Sequence, residues 1–230
     1  EADEYDRSFL TLSPTISVIT STDADHLDIY GSHEYMKESF NLFAQKLGDG
    51  GLLIYRKDLP IVVSALPEGV ESVDYSGSVQ AGHFAANIQI KDGKYYFDYH
   101  SQGECWPSVE LGLPGMHNVE NAVSAIAVCQ AVGLTQAEIR NGLSSFKGVK
   151  RRFEYHIRRD DLVLIDDYAH HPEELRACIS SVRQLYPEKH ITGVFQPHLF
   201  TRTRDFLEEF ARSLELLDDI ILLPIYPARE

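Results

Sequence analysis

After Gly148 the chain alternates strand and helix at a spacing that few folds accept. Short apolar runs at 162–165, 191–195 and 220–225 are separated by helical patterns at 172–185 and 203–217. This is the rhythm of βαβ units, so the three strands are expected to run parallel. Sheets of that kind bind ligands beyond the carboxyl ends of their strands. Each strand here runs into a polar or irregular end: Asp166-Asp167-Tyr168, then Gln196-Pro197-His198, then Tyr226-Pro227-Ala228-Arg229. Three successive ends carrying acid, imidazole and guanidinium groups mark a candidate site.

The preceding residues follow other patterns. A β-branched strand is expected at 16–20, after Pro14. A helix at 34–47 follows from Met36, Phe40, Phe43 and Leu47, which recur at helical intervals; Gly48 to Gly51 end it. Residues 52–55 and 61–66 read as two further strands. Residues 83–99 alternate around Asp92-Gly93, a pair suited to the left-handed turn of a two-residue hairpin loop. Helices are expected at 118–131 and 135–146, the second opened by a capping box of Thr135 and Glu138. The fold class is therefore α/β, with a domain boundary near residue 149: residues 1–149 form one domain and 150–230 a second.

Composition narrows the ligand class. The net charge of −14 opposes binding to nucleic acid or anionic membranes, so an anionic substrate needs local positive charge. Lys150-Arg151-Arg152, Arg202 and Arg204 supply it. No apolar run approaches the roughly 20 residues of a membrane span. Cys105, Cys129 and Cys178 are odd in number and far apart, which fits a reducing cytoplasm and not a disulfide framework. The chain opens on Glu1, not Met, inside a charged run, and is expected to be cut from a longer protein.

Five constellations carry candidate chemistry. Glu1-Ala2-Asp3-Glu4 and Asp23-Ala24-Asp25-His26 pair a carboxylate with an imidazole at neighbouring strand ends, an arrangement able to hold a divalent cation such as Mg2+. In His117-Asn118-Val119-Glu120-Asn121, the two asparagines share one helix face and can read the edge of a base such as adenine; simple capping by Asn118 is the alternative. Arg152, in the basic linker Lys150–Arg152, offers a planar fork for phosphate oxygens. In Asp166-Asp167-Tyr168-Ala169-His170-His171-Pro172, Asp167 can accept ribose hydroxyls and His170 can contact a substrate or a phosphate. The adjacent His170 and His171 also raise a zinc reading, although neighbouring side chains diverge. Gln196 to Asp205 places Arg202 and Arg204 at a helix start, suited to an amino-acid carboxylate. Neither G-x-x-x-x-G-K-[ST] nor G-x-G-x-x-G occurs in the sequence.

Together these motifs resemble the Mur ligases. EADEYDRSFL, DADHLDIYG, GMHNVENA, GVKRRFE, IDDYAHHPEEL, FQPHLFTRTRDF and IYPARE occur in the family's order and span residues 1 to 230. The resemblance is strongest to the branch that joins L-alanine to UDP-N-acetylmuramate. It implies a partial P-loop-type central domain, lacking its phosphate loop, followed by part of a Rossmann-like C-terminal domain that receives the amino acid. It also implies ATP and Mg2+ as cofactors, with UDP-N-acetylmuramate and L-alanine as substrates. By motif, Glu1 and His26 resemble Mg2+ ligands. His117, Asn118 and Asn121 resemble adenine contacts, Arg152 a phosphate contact and Asp167 a ribose contact. Tyr168, His170, His198, Arg202 and Arg204 resemble the amino-acid end, with Arg152, His170 and Arg202 closest to the chemistry. Ser39 stands where several of these ligases carry a carbamylated lysine, a lysine that the alanine-adding branch is thought to lack. Leu199 stands where some relatives have a basic residue. The chain alone is expected to be inactive and to bind ATP poorly. A murein tripeptide-recycling ligase of the same superfamily and a non-catalytic nucleotide-binding domain are the alternatives.

Overall fold

The computed structural model describes residues 5–24, 27–91 and 93–227. Its elements confirm the α/β class. In chain order they are β1 (Ile16–Ile19), α1 (Leu27–Tyr30), α2 (His33–Ala44), β2 (Leu52–Arg56), β3 (Glu71–Ser76), β4 (His83–Lys91), β5 (Lys94–Ser101), β6 (Glu104–Leu111), α3 (Met116–Ala131) and α4 (Gln136–Ser145). There follow β7 (Glu154–Arg158), β8 (Val163–Asp166), α5 (Pro172–Leu185), β9 (Thr192–Phe195), α6 (Phe200–Asp205), α7 (Leu207–Leu214) and β10 (Asp219–Leu222).

The chain forms two compact units that interleave in sequence. The first comprises residues 1–88, 97–109 and 119–142; the second comprises 89–96, 110–118 and 143–230. Residues 89–96, near the hairpin tip, and the first turn of α3 thus group with the second unit.

Strands β1 to β6 form one sheet in sequence order, with β1, β2, β3 and β4 paired parallel. Successive side chains of a strand point to opposite faces. Leu53 and Ile54 of β2 are both fully buried, so both faces of that strand are covered. Leu53 packs with Phe9, Ile19, Phe43, Ala44 and Leu47, which is why the spacing in α2 produces a stable helix. Its start is fixed by Ser32, whose hydroxyl accepts the Tyr35 amide. At α4 the expected capping box forms: Thr135 Oγ1 accepts the Glu138 amide and Glu138 accepts the Thr135 amide at 2.8 Å.

Two expectations fail, and strands β3 and β6 were not foreseen. Residues 61–66 are no strand; Val63–Ala65 is a 3-10 turn, with the Val63 amide bonded to the Ile61 carbonyl. The strand lies later, at Glu71–Ser76, where only Val73 and Tyr75 are apolar and the pattern is weak. Strand β6 was hidden by Pro107, which an edge strand tolerates. The Gln102-Gly103 turn before it has φ of 27° and 91°, the positive pair that a tight hairpin needs. The helix expected at 203–217 starts earlier and breaks at Phe206 (φ −117°, ψ 26°) into α6 and α7.

The last correction concerns the second unit. β9 and β10 pair parallel as expected, but β8 pairs antiparallel with β7, an unforeseen strand. Among the described residues β8 and β9 form no ladder with each other. Instead both line one cavity of about 430 Å³, walled by α5 residues such as Leu175, Cys178 and Ile179. A βαβ rhythm fixes strand direction but not which strands are neighbours.

Candidate functional site

The second unit brings most of the sequence-predicted residues within a short span. Strand β8 ends at Asp166 and delivers Asp167, whose Oδ2 accepts the Phe153 amide and Oδ1 the Ala169 amide, both at 2.8 Å. Two backbone donors therefore lock this carboxylate in one orientation, with its remaining lone pairs for a ligand. The Tyr168 amide donates to the Arg151 carbonyl at 2.6 Å, tying the basic linker to the end of β8.

From Tyr168 a file of rings crosses the strand ends. Tyr168 meets His170 edge-on at 5.2 Å between centroids, His170 meets His198 at 6.3 Å, and His198 meets Tyr226 at 5.6 Å. His198 is held by a parallel bridge to Tyr226, with the Leu199 amide donating to the Tyr226 carbonyl. Arg151 and Arg152 both lie over the Tyr168 ring, at 4.8 and 5.6 Å, within cation–π range.

Glu174 organises this cluster, and sequence reasoning overlooked it. Its Oε2 accepts the amides of His170 (2.9 Å) and His171 (3.2 Å), and its Oε1 lies 3.4 Å from Arg152 Nη1. Burial opposes ionisation of Glu174, yet these amides and the His170 and Arg152 side chains hold its pKa below the ordinary carboxylate value. The available signal was its position: His171 caps α5, Pro172 follows, and Glu174 completes a capping box with histidine in the usual serine place. His171 is thus structural. Its Nε2 is buried without a hydrogen-bond partner among the described residues, and its ring packs on Phe206.

His117 and Asn118 also belong to this unit. The His117 pKa is lowered by desolvation first, then by Arg152, while Asp167 acts in the opposite sense. Asn118 is no cap: α3 begins two residues before it, and its Nδ2 donates to the Pro114 carbonyl at 2.6 Å. Asn121, in the first unit, lies three positions further along α3 and is exposed.

Arg202 is nearly buried on α6, at 9% exposure, whereas Arg204 is exposed and pairs with Asp205 at 2.8 Å. The two arginines therefore differ: Arg202 is packed into the protein, and Arg204 faces solvent. Leu199, which precedes this helix, has φ 68°, a left-handed value that a leucine rarely adopts. Arg151 and Phe153, either side of Arg152, have φ 58° and 50°. Such strain costs roughly 1–3 kcal/mol per residue and concentrates where geometry serves a ligand. Nothing in the residue types signals it.

Glu1 and His26 lie outside the described residues. Ser39 is buried on α2 and donates to the Tyr35 carbonyl at 2.9 Å.

Two family models cover most of the chain: the Mur ligase middle domain matches residues 2–129, and the Mur ligase glutamate ligase domain matches residues 151–230. The chain belongs to the Mur ligase family. Among curated relatives, UDP-N-acetylmuramate–L-alanine ligase of Phocaeicola vulgatus is 52% identical over all of this chain and 50% of its own length. The enzyme of that name from Porphyromonas gingivalis is 50% identical over all of the chain and 50% of its length. The chain thus spans about half the length of the curated relatives it matches. Among solved structures, UDP-N-acetylmuramate–alanine ligase MurC of Thermotoga maritima superposes with a TM-score of 0.79 at 26% identity, covering 99% of this chain and 50% of that one. MurF ligase of Thermotoga maritima in complex with ADP shares the fold, with a TM-score of 0.74 at 19% identity over 91% of this Mur ligase chain and 48% of its own. Among the described residues no helix is long and apolar enough to cross a membrane.

Proposed function

We propose that this chain is part of a cytoplasmic enzyme that uses ATP and Mg2+ to join L-alanine to UDP-N-acetylmuramate for peptidoglycan synthesis. Residues 1–149 would supply part of the ATP-binding domain, and 150–230 part of the amino-acid-binding domain. The observation that carries this reading is the cluster at the end of β8. There Glu174 links Arg152 to the His170 amide, Asp167 is fixed by two backbone amides, and the ring file runs on to His198. The names of the relatives at about half identity support it.

In the proposed reaction a muramate carboxylate oxygen attacks the γ-phosphorus of ATP, and ADP leaves. The alanine nitrogen then attacks the activated carbonyl carbon; the C–O bond to phosphate breaks and the amine loses a proton. The chain's residues position and neutralise. Arg152 engages phosphate oxygens with its planar fork, giving up Glu174 for a stronger anion. Asp167 accepts from ribose hydroxyls, and Asn118 and Asn121, with His117 beside them, read the adenine. Arg202, held rigid by burial, takes the alanine carboxylate, while Tyr168, His170 and His198 wall the amine and Arg204 adds charge at the mouth. The carboxylate of Glu1 and the imidazole of His26 offer donors for Mg2+, whose charge would neutralise the phosphates. Without a G-x-x-x-x-G-K-[ST] loop in its sequence, the chain alone is expected to turn over nothing.

The test is kinetic, in a polypeptide of the relatives' full length carrying this chain. Arg202→Ala is expected to raise KM for L-alanine roughly 10- to 100-fold while sparing KM for ATP. Asp167→Ala is expected to do the reverse. The same KM shift for both substrates in both variants would sink the assignment, as would turnover with a murein tripeptide in place of alanine.

A further inference from the structure

Three donor groups that the ligase reading does not use meet on the β7–β8 ribbon. Glu154, His156 and Asp166 each offer one ligand atom, and the three atoms lie within 4.8 Å of one another. The fold explains the meeting. Cross-strand register sets Glu154 directly opposite Asp166, and an irregularity between Tyr155 and Ile157 leaves His156 as the extra residue. Its Nε2 lies 3.7 Å from Asp166 Oδ2. Two carboxylates placed directly opposite each other repel, so this register favours a cation between them. Arg151 offers a counter-charge, but its Nε stands 3.8 Å from the same Asp166 oxygen, long for a firm pair. That guanidinium has a second place to rest, over the Tyr168 ring. The Arg151 amide donates to Glu154 Oε2 at 2.8 Å, which fixes that carboxylate and leaves its other oxygen to coordinate.

We propose that Glu154, His156 and Asp166 form a divalent transition-metal site that clamps β7 to β8. One imidazole and two carboxylates suit Zn2+ or Co2+, with solvent completing the shell. Mg2+ prefers all-oxygen octahedral sets and binds here far more weakly. The clamp acts one residue before Asp167 and two after Arg152, so occupancy stiffens the segment that presents Arg152 and Asp167. It also draws Arg151 off Asp166.

Zn2+ titration of the chain by calorimetry, with Co2+ absorption spectra as a second readout, tests this. One equivalent is expected to bind, with a rise in thermal midpoint. H156A and D166N should each weaken binding by about tenfold or more. H190A, which removes the imidazole beside Asp218 and Asp219, should leave it unchanged. E154Q and H156Q preserve shape and serve if a truncated variant fails to fold. Unchanged affinity in folded H156A or H156Q overturns the site, as does loss of binding in H170A with H156A unaffected. Failure to bind Zn2+ at all also overturns it, and none of these outcomes touches the ligase reading, which KM values decide.

Discussion

The two units bury their strands to very different degrees. In the first, Leu53, Ile54, Tyr75, Phe97, Tyr99 and Val109 come from four strands of one sheet, and all are fully buried. In the second, the core of Leu175, Ile179, Phe195, Phe210 and Leu214 is buried to between 4% and 9% exposure, while strand β10 leaves Ile220, Ile221 and Leu222 at 45%, 50% and 60%. Val194 of β9 stands at 64%. Strand β10 (Asp-Ile-Ile-Leu) is more apolar than β3 (Glu-Ser-Val-Asp-Tyr-Ser), so the difference is not one of composition. It comes from neighbours: six paired strands cover one another, whereas isolated two-stranded ribbons cannot. The candidate site sits on the less covered unit, where strand ends and linker can adjust to a ligand.

Truncating matched side chains sharpens this contrast most. Ile126→Ala, at a fully buried position of α3, is expected to cost about 2–5 kcal/mol of unfolding free energy. Ile221→Ala should stay within roughly 0.5 kcal/mol. Equal losses by urea titration would show that β10 is covered after all. Next in size is Glu174→Ala, which removes a capping box and is expected to cost about 1–2 kcal/mol. Glu174 also has a pH signature. Its folded pKa is below the unfolded value, so its contribution is complete above the ordinary carboxylate pKa and is lost as pH falls through the folded value. Glu174→Gln should therefore flatten the acid limb of the stability curve, and an unchanged limb would remove Glu174 from the account.

The smallest effect concerns thiols. Cys105 is exposed, whereas burial and the Asp167 charge push the Cys178 thiol up to about 12. Alkylation at mild alkaline pH should label Cys105 first and leave Cys178 largely protonated and slow. Comparable rates would mean that the cavity between β8 and β9 opens readily.

The sequence made the strongly periodic parts legible: α2, α5, the Thr135 capping box and the hairpin before Gly93 all form where periodicity and turn chemistry place them. It hid β3, because Glu71, Ser72, Asp74 and Ser76 dilute the alternation, and β6, because Pro107 argues against a strand until its edge position is known. It also hid the pairing of β8 with β7, since neighbour choice is a tertiary matter. Asp167, Tyr168, His170 and His198 follow strands as the sequence led one to expect, and Arg152 precedes β7 in the basic linker. The strain at Leu199 and the linking role of Glu174 were not, because each depends on which segments meet and not on the residue itself.

The central claim is that this chain serves an alanine-adding ligase, and ADP release measures it most directly. With UDP-N-acetylmuramate and ATP supplied to the full-length polypeptide, ADP is expected to accumulate in step with added L-alanine and to stop when Arg152→Ala removes the fork proposed to engage phosphate. ADP release that ignores L-alanine, or that survives unchanged in Arg152→Ala, would contradict the account.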